Sequence, residues 1–329
     1  MAARKRILSG TRPTGRLHLG NYIGALRNWV AMQDTYECFY VIADWHALTS
    51  DYADLSHLEE YSAQVFLDWL AVGLDPERST LFVQSKVKQH AELNLLLSMI
   101  TPLAWLERCP TYKDQIGQMA NKDLETHGFL GYPVLQAADI LIYRADVVPV
   151  GEDQLPHLEI CREIARRFNN FYGDVFPEPA HFLSPVPKML GLDGRKMSKS
   201  YDNCIYLSDS RPTVVKKVKT MITDPARVRR SDPGHPEVCN VFAYQQIFNQ
   251  SEVPCIETEC RGAVIGCVEC KLNLAERINQ VLDPFREKRA IFEREPKRVR
   301  KMLADGNLRA QTEAEATMQR VREVMHLPE

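Results

Sequence analysis

Two strings far apart in the chain hold residue types suited to phosphate chemistry. Pro13-Thr14-Gly15-Arg16-Leu17-His18-Leu19-Gly20-Asn21 sets glycines, an imidazole and an amide where a strand should turn into a helix. Lys196-Met197-Ser198-Lys199-Ser200 sets two lysines on a loop between Gly194 and Asp202. Glycine lets backbone approach phosphate, and a helix N-terminus offers N–H groups with partial positive charge. A mobile ammonium can follow charge onto a leaving group. Together these residues predict a site that holds a triphosphate.

A second group is Tyr132, Gln136, Asp139, Ile140 and Tyr143, whose offsets of 0, 4, 7, 8 and 11 put them on one helical face. Asp139 interrupts the apolar run Ala137 to Ile142, where an unpaired carboxylate is costly to bury. It needs a donor, either in a neighbouring segment that it caps or in a ligand. A ligand with one N–H donor on an otherwise apolar body would suit a carboxylate behind an apolar slot.

The third group is cysteine. Cys239, Cys260, Cys267 and Cys270 are separated by 20, 6 and 2 residues, with Cys255 nearby as a fifth thiol. Four thiolates can hold tetrahedral zinc or a [4Fe-4S] cluster, and spacing alone does not decide. Cys38, Cys109, Cys161 and Cys204 have no such grouping and read as packing residues.

These groups need a scaffold, and 329 residues allow two domains with a sizeable core. Ile7-Leu8-Ser9, Phe39 to Ala43, Leu81-Phe82-Val83 and Val147 to Val150 read as buried strands. Leu58, Tyr61, Val65, Trp69 and Val72 recur at helical spacing, as do Leu158, Cys161, Ala165 and Phe168. The alternation predicts an α/β, Rossmann-like parallel sheet with ligands at the carboxyl ends of its strands. Pro177, Pro179, Pro185 and Pro187 mark a linker, beyond which the pattern is mainly helical. Leu274, Ile278, Val281 and Phe285 form one stripe, which Pro284 should kink or divide.

No apolar run is long enough to span a membrane, and Arg4-Lys5-Arg6 is followed by too short an apolar stretch for a signal peptide. A cytoplasmic protein with reduced thiols is expected. Net charge is only −2, yet residues 211–230 hold seven Lys or Arg against one acid, and a second basic stretch runs from Arg286 to Lys301. Such runs are either solvated helix faces or RNA contacts.

His18-Leu19-Gly20-Asn21 resembles the HIGH signature of the class I aminoacyl-tRNA synthetases, with Asn21 where a second His is commonest, and residues 196–200 match the KMSKS signature in full. Gly151-Glu152-Asp153-Gln154, Thr223-Asp224-Pro225 and the C-terminal helices extend the resemblance over essentially the whole chain, which looks most like the bacterial tryptophanyl members. The resemblance implies a catalytic domain over residues 1–185 and a helical anticodon domain over 186–307, with a helix at about 308–329 packing back on the first. It implies ATP, Mg²⁺, tryptophan and tRNA(Trp) as substrates and partners, and a homodimer. His18, Asn21, Lys196 and Lys199 take catalytic roles by resemblance, and Arg12, Thr14, Gly20, Gly151, Asp153, Met197 and Ser198 join them around ATP. Arg12 stands where many members carry Gln. Leu8, Ser9, Gly10, His46, Tyr132, Gln136, Asp139, Ile140 and Gln154 correspond to tryptophan-binding positions. A subset of bacterial members carries a [4Fe-4S] cluster on very similar cysteine spacing, which favours the cluster over zinc at Cys239, Cys260, Cys267 and Cys270. The sister tyrosyl enzymes share the architecture, and a cysteine-cluster RNA-binding protein without catalysis is the rival from another class.

Overall fold

The computed structural model describes residues 4–110, 112, 124–183 and 189–328. Strands β1 (Arg6–Thr11), β2 (Glu37–Ile42), β3 (Ser79–Val83), β4 (Val147–Val150) and β5 (Ala180–Leu183) form one parallel sheet in the order β3-β2-β1-β4-β5. The helices used below are α1 (Asp44–Asp51), α2 (Leu58–Val72), α3 (Gln89–Ile100), α4 (His127–Ile142), α5 (Leu155–Tyr172), α6 (Arg211–Thr220), α7 (Asn240–Phe248), α8 (Val253–Arg261), α9 (Cys267–Arg294) and α10 (Pro296–Val324). Contacts divide the chain into two units: Met1–Gly15 with Arg27–Pro185 and Phe292–Glu329, and Arg16–Leu26 with Val186–Ile291.

In the first unit β2 and β3 are near-continuous buried apolar runs, as expected where both faces of a parallel sheet are covered, whereas β5 is exposed along its length. Leu8 pairs with Phe39 and Tyr40 with Leu81. Leu8, Phe39, Val41 and Phe82 enter one core with Ile140, Leu141 and Tyr143 near the end of α4 and with Leu158, Cys161, Ala165 and Phe168 of α5. Strand order reverses at β1, which lies next to β2 on one side and β4 on the other. The carboxyl ends of β1 and β4 therefore flank a switch point, where open α/β sheets bind ligands. Ser9 to Arg12 lie at the end of β1, and Gly151 to Gln154 directly follow β4.

Edge strand β3 is covered by α10, which satisfies backbone groups that an open edge would expose. Val83 N–H donates to Asn307 Oδ1 at 2.9 Å, and Arg309 donates to the carbonyl of Ser79. Ala310, Ala314, Met318 and Val321 complete the main core. Gly306 allows the close approach: a Cβ there would sit 2.0 Å from the carbonyl oxygen of Leu81.

The second unit is mainly helical, with Arg211 of α6 paired to Glu276 and Asp283 of α9. Two local expectations change. The proline-marked stretch contains β5, which pairs with β4 from Ala180 to Leu183; Pro179 just precedes its first residue, a position proline tolerates because it owes no hydrogen bond there. Pro185 and Pro187 lie outside the described residues. Helix α9 is not divided at Pro284 but runs on to Arg294, with Leu274, Ile278 and Leu282 buried on the turns before it. Among the described residues no helix is long and apolar enough to cross a membrane.

Gly306→Ala should destabilise the first unit by about 1 to 3 kcal/mol through overpacking against Leu81. Urea unfolding should show a lower midpoint; an unchanged midpoint would mean that α10 can shift without cost.

Candidate active site

In the first unit, Asp139 of α4 is 3% exposed and is met by donors from three other stretches. His46 Nε2 of α1 lies 2.9 Å from Oδ2, and His90 Nδ1 of α3 lies 2.6 Å from Oδ1. Gln84, directly after β3, donates its Nε2 to both oxygens at 2.7 and 2.9 Å. Burial pushes the carboxyl up, but the hydrogen bonds from His46 and His90 outweigh it and leave Asp139 lowered to about 2. The side chain is thus an anion at neutral pH. A second chain links Tyr132, whose hydroxyl bonds to His157 Nε2, and Gln154, whose Oε1 lies 3.0 Å from His157 Nδ1. Burial lowers His157 to about 4, so it is neutral near pH 7.

The remaining first-unit candidates divide between surface and core. Ser9 donates to the carbonyl of Pro149 at 3.2 Å, tying β1 to β4. A Cβ on Gly10 would lie 2.5 Å from the Val41 side chain, so only glycine fits beside β2 without adjustment. Leu8 and Ile140 are buried in the main core, and Gln136 is half-buried on α4. Arg12 donates to Ser50 and to Asp51 in α1, while its Nε is buried without a partner. Thr14 is exposed, and Gly15 turns the chain at φ 122°.

The second unit brings the later part of the first string, from Leu17 to Asn21, together with the lysine loop. Leu19 N–H donates to the carbonyl of Ile205 and Leu207 N–H to that of Leu17, so residues 17–19 run beside the chain that leaves the lysine loop. Gly20 N–H then points at Met197 Sδ, 3.4 Å away, and a Cβ on Gly20 would meet the His18 ring at 3.0 Å. Asn21 caps the turn by accepting from His18 N–H through Oδ1 at 3.0 Å, leaving its amide NH₂ as a donor. Burial, with Lys199 and Lys196 nearby, lowers His18 to about 4. Lys196 is exposed and Lys199 half-buried. Asn203 holds the loop from beneath: Oδ1 accepts from Ser198 N–H at 2.8 Å, and Nδ2 donates to the Lys196 carbonyl at 3.2 Å and to Asp193 at 2.7 Å.

This arrangement matches known proteins over nearly its full length. Residues 2–283 match the family model of class I tRNA synthetases for W and Y. The tryptophan–tRNA ligase of Thermotoga maritima is 53% identical, covering 98% of this chain and 99% of its own length, and that of Aquifex aeolicus is 44% identical, covering 98% and 100%. The chain belongs to the class I tryptophanyl-tRNA synthetase family. A crystal structure of the Campylobacter jejuni member, complexed with ADP and tryptophan, superposes with TM-score 0.89 at 35% identity over 98% of this chain and 100% of that one.

The sequence reading missed Gln84, His90, His157 and Asn203, which the structure bonds to the candidate residues. Gln84 had a signal, since a polar side chain directly after an apolar strand lies at a carboxyl end where ligands bind. His90 and His157 sit in ordinary helical patterns and had none.

The four grouped cysteines also lie in the second unit. Cys239 precedes α7, Cys260 ends α8, and Cys267 and Cys270 open α9. Burial, followed by Cys239, Cys260 and Cys267, pushes Cys270 up to about 11 against a hydrogen bond from Gln245. Arg227 and Gln245 donate to the sulfurs of Cys260 and Cys270 at 3.7 and 3.5 Å. Two thiols in the first turn of a helix, with nearby donors and mutual repulsion, have the chemistry of a site whose charge a metal would neutralise. Among the described residues no group of three or more His, Cys, Asp or Glu is placed closely enough to hold a metal ion as it stands. Cys255 is exposed, and Cys38, Cys109, Cys161 and Cys204 are buried. Of the basic run, Arg227 is 9% exposed and donates to the carbonyls of Arg230 and Ile265, and Lys217 pairs with Asp209. Neither is an open RNA contact.

The two depressed histidines set an acid limit. Both titrate near 4 in the fold against 6.5 in their unperturbed state, so the unfolded chain binds more protons through that window. Stability is then full above pH 6.5 and falls as pH drops towards 4, by on the order of 3 kcal/mol for each histidine. Urea midpoints at pH 7, 5.5 and 4.5 should decline in that order, and His157→Gln should flatten part of the slope.

Proposed function

We propose that the enzyme activates tryptophan with ATP and passes the tryptophanyl group to the terminal ribose of tRNA(Trp). The observation that carries the reading is Asp139, an ionised carboxylate in an apolar setting that can accept from an indole N–H. The family model covers both tryptophan and tyrosine enzymes, so it does not separate them. The full-length relatives, both tryptophan–tRNA ligases, favour tryptophan.

In the first step a tryptophan carboxylate oxygen forms a bond to the α-phosphorus of ATP, and the bond to pyrophosphate breaks. That nucleophile is ionised at neutral pH, so the protein has to position and neutralise and needs no base. Tyr132, Gln136, Gln154 and His46 surround tryptophan on this reading, with Leu8, Ser9, Gly10 and Ile140 shaping the floor. His18 is neutral and Asn21 has an amide donor, so both orient phosphate oxygens as dipoles. Lys196 and Lys199 neutralise the departing pyrophosphate. On this reading Thr14, Gly20, Gly151, Asp153, Met197 and Ser198 are further ATP-binding residues. The unpartnered Nε of Arg12 offers one more anion contact. Mg²⁺ bound mainly to the phosphates would share the charge on the leaving group.

ATP–pyrophosphate exchange tests this directly. It should depend on tryptophan and hardly on tyrosine. Asp139→Ala should remove a hydrogen bond to a charged group worth about 1.5 to 3 kcal/mol, a loss of roughly 10- to 150-fold in kcat/KM for tryptophan. Unchanged discrimination by that variant would overturn the assignment.

On this reading the domain over residues 186–307, which carries the lysine loop, serves the anticodon through its helices, with exposed Lys216, Lys219, Arg229 and Arg230 as backbone contacts. The enzyme acts in the cytoplasm as a homodimer, an association supported by the exposed apolar side chains of Leu95, Met99 and Leu103. Cys239, Cys260, Cys267 and Cys270 would hold a [4Fe-4S] cluster, with zinc as the alternative, and the group would supply a rigid centre for that surface. Anaerobically prepared protein should be brown and contain iron and sulfide. Cys267→Ser should lose both and still run exchange, while transfer to tRNA falls. Colourless protein with stoichiometric zinc would replace the cluster, and full charging by metal-free Cys267→Ser would remove its role in RNA binding.

A further inference from the structure

Asp139 is held by more than its acceptor role requires. A carboxylate turns easily about its last torsion, because that well is broad and twofold. Here the turn is blocked. Gln84 spans both oxygens, and its own amide is fixed because Oε1 accepts from the N–H groups of Trp45 and His46 at 3.1 and 3.3 Å. His90 is 0% exposed, and both its nitrogens are used: Nδ1 lies 2.6 Å from Asp139 Oδ1, and Nε2 lies 2.8 Å from the Tyr143 hydroxyl. An ionised carboxylate only accepts, so Nδ1 carries a proton towards Asp139, and Nε2 pairs with the Tyr143 hydroxyl. The Tyr143 ring is itself pinned, stacked on Phe39 at 4.7 Å and edge-on to Phe82 at 5.2 Å.

Such a chain is an expensive way to fill a core, because each buried polar group must find its partner. An apolar side chain at position 90 would spare the fold that demand. What His90 adds is direction. Three donor groups make four hydrogen bonds to Asp139, two of them from Gln84, so all of the carboxylate's acceptor sites, about four, are engaged and an incoming N–H must share an oxygen with one of them, which makes the angle at which the carboxylate is held decisive. We propose that His90, fixed by Tyr143, is a positioning residue that holds the Asp139 carboxylate at the angle from which it can accept from the substrate indole N–H and so sets tryptophan specificity. The inference rests on the reading of Asp139 given above.

The test compares tryptophan with β-(3-benzothienyl)alanine, in which sulfur replaces the indole N–H, as substrates for ATP–pyrophosphate exchange by the full-length protein. The readout is the ratio of their kcat/KM values. A merely structural role would lower both alike and leave the ratio unmoved. His90→Leu should reduce the ratio about tenfold, because the N–H contact alone is misaimed. His90→Asn, which can return a donor near the position of Nδ1, should restore much of it. Tyr143→Phe keeps the ring stack and removes only the hydroxyl. It should lower the ratio several-fold, and it decides the matter should His90→Leu fail to fold. An unmoved ratio in folded His90→Leu, or in Tyr143→Phe where only that variant folds, overturns the proposal. Asp139→Asn is measured alongside. If its ratio is also unmoved, the reading of Asp139 itself fails; if its ratio falls while that of His90→Leu does not, only the role of His90 is lost.

Discussion

A carboxylate inside an apolar helix has to be met by donors, and Asp139 draws them from α1, from the turn after β3 and from α3. Those three stretches start or end at the carboxyl edge of the sheet, so satisfying one charge also fixes three loops there. The donors bring the pKa down against burial, which keeps the group an acceptor at all ordinary pH values. Had desolvation won, the protonated acid would itself present a donor, and an indole N–H would meet another hydrogen. The polarity of the pocket thus depends on His46, His90 and Gln84 as much as on Asp139.

The sheet was legible because its strands are short apolar runs alternating with helical periodicities, a pattern that β1 to β4 follow closely. β5 was hidden by Pro177 and Pro179, which read as linker although proline is tolerated just ahead of an edge strand. The covering of β3 by α10 had a partial signal. The stripe of Ala314, Met318 and Val321 announces a face that must be buried, but nothing local says which strand receives it. That information lies in Gly306 and Asn307, whose meaning appears only once Leu81 and Val83 are opposite them.

The candidate site shows the same division between pattern and long-range pairing. Two motifs separated by more than 170 residues could be read as phosphate chemistry from residue type, and Asp139 from its cost in an apolar run. Their supports could not, since Asn203, His90 and His157 become informative through partners distant in sequence. Asn203 is the clearest case. It is 2% exposed and bonds to three different residues of the lysine loop, yet in the sequence it is one asparagine after a turn.

The lysine loop also shows why dipoles and ions are kept distinct. His18 lies close enough to Lys196 and Lys199 to be disfavoured as a cation, and burial disfavours it further, so the positive charge resides on the two ammonium groups. A fixed imidazolium would attract triphosphate before and after reaction alike, which strengthens ground-state binding without favouring the transition state. A neutral ring that orients oxygens, beside lysines on a loop that can follow the leaving group, places the charge where it grows during the reaction. The backbone beneath those lysines is nevertheless held by Asn203. The mobility that matters is therefore that of the side chains, with Lys196 exposed and its carbonyl anchored.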